Sequence, residues 1–252
     1  MRLLRARRLV RLAYRRRFDL TGECPIVTFS FDDFPRSAYF MGGKILKDEG
    51  ARGTYYAAMG LMNTTGALGD MFRVEDLHAL SADGHEVASH TFHHLSAGSA
   101  DAAAFVDDAL AGHEALRNVP GLSVSGNFAY PYGAASIATK RVLSRKMLSC
   151  RSGHEGVNRR QVDLGLLRAN SLEGDLDQLD MVRRLLDESE RLQGWVIFYT
   201  HDVSHSPSPY GCTPELLEAA VKLARTRSMR IVTVEEALAG ARACEQAEGW
   251  SG

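Results

Sequence analysis

The sequence is short of long apolar runs. The longest, such as Trp195–Tyr199, fall far below the ~20 residues that a membrane-spanning helix needs. It has only four cysteines, at 24, 150, 212 and 244, with no C-x-x-C pair among them, which excludes zinc-finger and thioredoxin-type motifs and a disulfide-stapled mini-fold. They are read as reduced, partly buried thiols without chemistry. No G-x-G-x-x-G follows the first strand-like run, so a dinucleotide-binding sheet is excluded. No repeat or low-complexity linker divides the 252 residues, and a hydrophobic fraction of 45% with 24% charged residues is that of one soluble globular domain.

Acid is missing from residues 1–17, which hold eight arginines; the remainder of the chain then carries nine more acids than bases. A body that acidic is a poor partner for nucleic acid, because neutralising phosphates takes clustered Lys and Arg. Arginines interrupt every apolar stretch of this segment and no small-residue cleavage site follows, so it does not read as a secretory signal. The expected organisation is a basic N-terminal arm (1–20), a barrel (21–240) and a C-terminal tail (241–252). The arm is a solvated segment or short surface helix, and its Leu–Arg alternation would also suit peripheral contact with an anionic membrane. The expected location is cytoplasmic, at most peripheral to the inner membrane face.

From residue 25 onward, strand-like and helix-like patterns alternate. Strands are expected at 25–31, 52–57, 85–89, 124–130, 147–150, 166–169, 195–200 and 230–233. Helices are expected at 36–49, 74–82, 101–118, 135–146, 175–192, 214–226 and 234–246. Repeated β-then-α units argue for a parallel sheet with helices outside, and a closed TIM-related barrel fits better than an open sheet.

In such barrels chemistry sits at the carboxyl ends of the strands. Those ends carry Asp32-Asp33, His90-Thr91-Phe92-His93-His94, Tyr130-Pro131-Tyr132-Gly133 and His201-Asp202. One helical turn would put His90 and His94 on one face, where they could share a metal with an aspartate from another strand end. That His₂Asp set with open positions is the form of a catalytic zinc site. His93 is the alternative to His94 as ligand. Consecutive aspartates point in different directions, so one would bind the metal while the other accepts a proton from water. His201, at the same rim, would donate a proton to a leaving amine.

These segments resemble, in order and spacing, the NodB-homology polysaccharide deacetylases of carbohydrate esterase family 4: Ser30-Phe31-Asp32-Asp33, His90-Thr91-x-x-His94, Tyr130-Pro131-Tyr132-Gly133 and the strand ending in His201. The resemblance implies a distorted (β/α)₇ barrel and metal-dependent removal of an N-acetyl group from an N-acetylated amino sugar. It implies Asp33, His90 and His94 as ligands of Zn²⁺ or another divalent cation such as Co²⁺, Asp32 as base and His201 as acid. The Tyr132 backbone N–H would help hold the oxyanion, and Phe198 would line the acetyl-methyl pocket.

Two departures stand out. The arginine that opens the family's third motif is replaced by Ala129, and the fourth motif, Asp-Trp, has no clear counterpart between 151 and 180. Arg151 or Arg168, each near a strand end, is expected to supply the missing cation beside Asp32 and keep it ionised. The leading expectation is a deacetylase of an N-acetylated saccharide. A deformylase of a lipid-linked amino sugar, a small-amide hydrolase and a catalytically impaired saccharide-binding protein are the rivals.

Overall fold

A computed structural model of the protein describes residues 9–20 and 25–240. The strands are, in chain order, β1 (Arg17–Asp19), β2 (Ile26–Asp33), β3 (Thr54–Ala57), β4 (Thr65–Gly66), β5 (Gly69–Asp70) and β6 (Glu86–Ser89). Then come β7 (Asn127–Ala129), β8 (Ser149–Arg151), β9 (Gln161–Asp163), β10 (Asn170–Ser171), β11 (Trp195–Thr200) and β12 (Arg230–Ile231). Seven of them run parallel in the order β10-β11-β2-β3-β6-β7-β8, and β12 pairs with the start of β2. The gap between the edge strands β8 and β10 is bridged by the segment that leads into β10, where Leu167 pairs with Arg151. The result is the α/β, (β/α)₇ barrel expected of the sequence.

Alternation along the strands separates two environments. Val27, Phe29 and Phe31 of β2 face outward. There they pack with Leu186 of the helix Leu179–Leu192 and Leu216, Leu217 and Ala220 of the helix Pro214–Thr226. Thr28, Ser30 and Asp32 face inward, and Thr28 accepts a hydrogen bond from the indole of Trp195 on the neighbouring strand β11 (2.9 Å). The floor of the interior is organised by buried Glu86, whose carboxylate accepts from Ser125 Oγ (2.5 Å), Asn127 Nδ2 (2.6 Å), Thr54 Oγ1 (2.8 Å) and the Glu235 amide (3.0 Å). A buried carboxylate satisfied this fully is tolerated where a bare one would not be.

Three elements differ from the sequence reading. The helix expected at 36–49 opens as a π-helix, Ala38–Gly43, before its α-helical part Lys44–Asp48. Leu166–Ala169 is not a strand: it meets β8 only through Leu167, and regular pairing with β11 begins at Asn170. Residues 9–20 are anchored on the barrel, although most of their side chains stay exposed. Val10 is buried and its carbonyl accepts from Lys140 Nζ (2.8 Å), Arg16 donates to the Met147 and Leu148 carbonyls, and β1 pairs antiparallel with β9. Residues 1–8 of the arm, Cys24, Cys244 and the tail 241–252 lie outside the described residues. Among the described residues, Cys150 and Cys212 are free and buried, and no helix is long and apolar enough to cross a membrane.

Candidate active site

Asp32 continues the inward column of β2, so alternation alone should send Asp33 outward. It does not, because Asp33 and Phe34 take left-handed backbone conformations (φ 61° and 62°) that turn the chain as the strand ends. That turn brings Asp33 Oδ1 to 3.1 Å from His94 Nε2 and 3.6 Å from His90 Nε2. Donors about 2.1 Å from a tetrahedral cation lie ~3.4 Å apart, so the three atoms are spaced as ligands of one ion. Asp33 Oδ1 is buried and has no hydrogen-bond partner among the described residues. His90 Nδ1–H donates to the Ala129 carbonyl (2.9 Å), which leaves the Nε2 lone pair facing Asp33. Burial pushes the His90 pKa down to about 4, against the pull of Asp32 and Asp33, so the ring is neutral at neutral pH. The donor set fits a divalent cation.

The histidine pair is not on a helical turn. Residues 90–94 form an irregular bend with Thr91 and His94 left-handed (φ 68° and 56°), and the helix Ala102–Arg117 holds it in place. Asp108 of that helix accepts from the Phe92 and His93 amides and pairs with His93 Nδ1 at 2.6 Å. One turn later, a Cβ on Gly112 would stand 2.2 Å from the Thr91 carbonyl carbon, so the helix lies flush against the bend only because residue 112 is glycine. His93 is thus tied to Asp108 through Nδ1, while His94 Nε2 lies beside Asp33.

Asp32 is buried and bonded through Oδ2 to Arg151 Nη2 at 2.5 Å. The guanidinium lies over the rings of Tyr56 (5.1 Å) and Tyr199 (4.8 Å). Burial by itself would raise the Asp32 pKa, but the charges of Arg151, His90 and His201, with the Arg151 hydrogen bond, outweigh it and hold the carboxyl below its ordinary range. Its Oδ1 has no partner among the described residues and is the oxygen free to take a proton. Arg168, the other arginine considered for this position, is elsewhere: its Nη1 donates to the Glu155 carbonyl (2.5 Å) on the flank of the barrel. The reason is local, since it leaves the chain before β10 begins, outside the ladder that aims Arg151 inward.

His201 follows β11 and is partly exposed; its Nδ1–H donates to the Tyr210 carbonyl (3.2 Å), leaving Nε2 unengaged by that bond. Tyr132, 71% exposed, sets its ring 4.7 Å from that of His94, and Gly133 beside it is closely approached by Gly153 of the segment after Arg151. Phe198 requires a correction. It lies on the helix side of β11, buried and stacked on Phe29 (5.7 Å), facing away from the barrel interior. Its neighbour Tyr199 faces inward, against Arg151. Sequence reasoning missed Tyr199, although strict alternation back from His201 would have found it. It also missed Asp108 and Gly112, and Glu173, a half-buried residue just after β10 that feels the charge of His201.

The family model described as "Polysaccharide deacetylase" matches residues 19–149, more than half of the chain. The chain belongs to the polysaccharide deacetylase family. This is the NodB-homology family of carbohydrate esterase family 4. Comparison of this family member with curated protein sequences finds no significant match. Its fold is that of a peptidoglycan deacetylase from Bacillus subtilis, solved as a mutant (15% identity, 90% of this chain and 96% of that one, TM-score 0.57). It is similar, too, to the chitin deacetylase of Colletotrichum lindemuthianum (18% identity, 86% and 89% covered, TM-score 0.56). A family 4 carbohydrate esterase from Streptomyces lividans, solved with acetate, has the same fold (16% identity, 82% and 92% covered, TM-score 0.52).

Proposed function

We propose that this polysaccharide deacetylase family member is a metal-dependent hydrolase that removes the N-acetyl group of an N-acetylated amino sugar, releasing acetate and a free amine. The observation that carries the reading is the convergence of Asp33, His90 and His94 beside an aspartate clamped by Arg151. Asp33, His90 and His94 would hold the cation, and Zn²⁺ or Co²⁺ suits this mixed nitrogen and oxygen donor set. When bound, a divalent cation supplies Lewis acidity at the amide carbonyl and at the attacking water.

The remaining work falls to the chain. Asp32, kept ionised by Arg151, accepts the proton of the attacking water at Oδ1. The Tyr132 amide is the donor for the developing oxyanion, and such preorganised donors are among the most effective catalytic devices. His201, oriented through Nδ1 by the Tyr210 carbonyl, delivers a proton from Nε2 to the departing sugar nitrogen. Tyr199 keeps the Arg151 guanidinium directed at Asp32.

The deciding experiment measures acetate released from N-acetylglucosamine oligomers by metal-stripped protein, with and without added Zn²⁺ or Co²⁺, beside Asp32→Asn. Metal-dependent acetate that disappears in Asp32→Asn is the expected result. Stoichiometric metal binding without acetate from any oligomer would move the reading to a formyl or small-amide substrate, and absence of metal binding would overturn it.

A further inference from the structure

We propose that a second site, a cavity of about 770 Å³ on the flank of the barrel, binds a diphosphate group. Its wall is built from two distant stretches of chain. Arg11 and Arg15 come from the N-terminal segment, and Arg159 and Arg168 from the connection between β8 and β10. The β1–β9 pairing holds the two stretches together, as does Lys140, whose Nζ bonds both the Val10 carbonyl and Asp163, so the four guanidinium groups share a formed concavity.

Among the described residues the charges in this cavity are largely uncompensated. Among the described residues none of the four arginines forms an ion pair, and only Arg168 uses its side chain in a hydrogen bond, to the Glu155 carbonyl. Two acids reach the cavity. Asp163 is already engaged, by Lys140 Nζ (2.6 Å) and the Arg16 and Gly165 amides (both 3.0 Å), which leaves Glu188 as the uncommitted carboxylate among the described residues. Burial, then the charges of Arg11 and Arg159, depress the pKa of Arg168, with Glu188 opposing. Like charges gathered in a half-enclosed cleft repel one another and focus a positive field into it. An anion of matching charge relieves that cost.

The chemistry of the wall selects the anion. Guanidinium forks match phosphoryl oxygens in pairs, and two forks per phosphoryl group make four arginines a complement to a diphosphate. Four cations against Glu188 leave about three positive charges, the scale of a diphosphate ester rather than of one carboxylate. A nucleic-acid strand fits less well, because the chain outside residues 1–17 has an excess of nine acids and the arginines line a bounded cavity instead of a track. A diphosphate ester can be a soluble nucleoside diphosphate derivative or a diphosphate-linked lipid, and the cavity chemistry is the same for both. The inference does not depend on the deacetylase reading.

The test is calorimetric titration of the full chain, in metal-free buffer, with inorganic pyrophosphate. One equivalent is expected to bind, with affinity falling as salt is added. Arg11→Ala and Arg159→Ala should each weaken binding at least tenfold; neither side chain has a hydrogen bond among the described residues, and unchanged thermal melting would confirm that the fold is intact. Asp33→Ala should bind pyrophosphate as the unaltered protein does, which separates the cavity from the candidate cation site. Displacement of pyrophosphate by uridine diphosphate would assign a soluble source. Displacement only by phosphatidylcholine vesicles carrying a polyprenyl diphosphate would assign a lipid source. The proposal is overturned by no binding at millimolar pyrophosphate, by affinity in both arginine variants unchanged from that of the unaltered protein, by loss of binding in Asp33→Ala, or by binding to phosphatidylglycerol vesicles without binding to pyrophosphate.

Discussion

Ala129 and Arg151 stand opposite each other on β7 and β8, and the guanidinium of Arg151 reaches Asp32 across the interior. The resemblance places an arginine at position 129, where this chain has a methyl group packed with Tyr56 and Ala88. Directly paired residues of neighbouring strands point to the same face of a sheet. A charge can therefore move one strand over and still address the same carboxylate, provided that the vacated position becomes small.

Arg151→Ala should lower kcat/KM for acetate release by roughly 100-fold, since it withdraws the charge that keeps Asp32 ionised. It should also lower stability by about 3–5 kcal/mol, the usual cost of leaving one member of a buried ion pair alone. Moving the arginine back, as Ala129→Arg with Arg151→Ala, should recover at least a tenth of the lost rate, while Arg168→Ala stays within about twofold of the unaltered protein. Steady-state kinetics on folded samples decide. An Arg151→Ala variant with unchanged kcat/KM would remove Arg151 from the site.

Gly112→Ala should weaken Co²⁺ binding roughly tenfold or more, although residue 112 touches no ligand. Its Cβ would displace the bend that spaces His90 from His94, and outer-shell changes commonly cost 10–100-fold in metal affinity. Titration followed by the visible absorption of Co²⁺ reports it, with His93→Ala as the comparison that should retain the full absorption.

Acid should destabilise the metal-free protein in two stages. Burial depresses His85 and His90 to about 4, below the ordinary value of 6.5. Their stabilising effect is therefore complete above pH 6.5 and is lost as pH falls towards 4, on the order of 3 kcal/mol for each. Asp32, also depressed, adds a further loss below the ordinary carboxylate range. Denaturant unfolding at a series of pH values should show this slope, and His85→Gln should remove one histidine's share. A stability profile flat from pH 7 to 4 would contradict it.

Phe198 and Tyr199 should separate stability from activity. Phe198→Ala removes a ring from the outer core and should cost about 3–5 kcal/mol while kcat/KM of the folded protein stays within about threefold. Tyr199→Ala removes a wall of the Arg151 slot and should lower kcat/KM at least tenfold. Melting and initial rates on both variants distinguish the two faces of β11.

Barrel and rim were legible because β2 states both at once: Ile26–Phe31 is dense in β-branched and aromatic residues, and the aspartates follow where a parallel strand must end. What stayed hidden depended on backbone conformation or on partners far away in sequence. The bend at 90–94 has the i, i+4 spacing of a helix, and nothing in its composition announces left-handed residues at Thr91 and His94. β1 (Arg-Phe-Asp) and β9 (Gln-Val-Asp) alternate polar and apolar residues over three positions only, too short a run to announce a strand, and each is defined by the other. Arg151 and Arg168 look alike along the chain, and only the register of β8 tells them apart. Phe198 was misplaced because the resemblance supplied a role, whereas alternation along Trp195–Thr200 supplies its direction.

Asp33, Thr91, His94 and Tyr132 all hold positive φ, between 56° and 68°, and each of these conformations costs an L-residue on the order of 1–3 kcal/mol unless its surroundings enforce it. Glycine or asparagine would occupy the same backbone more cheaply. A lineage under pressure only for thermal endurance would drift towards those residues at this rim. At Asp33 and His94 it would lose the proposed cation ligands in doing so. The reactive end of the barrel is thus the part where robustness and turnover pull against each other, and variants selected for heat resistance alone should accumulate substitutions there as their activity fades.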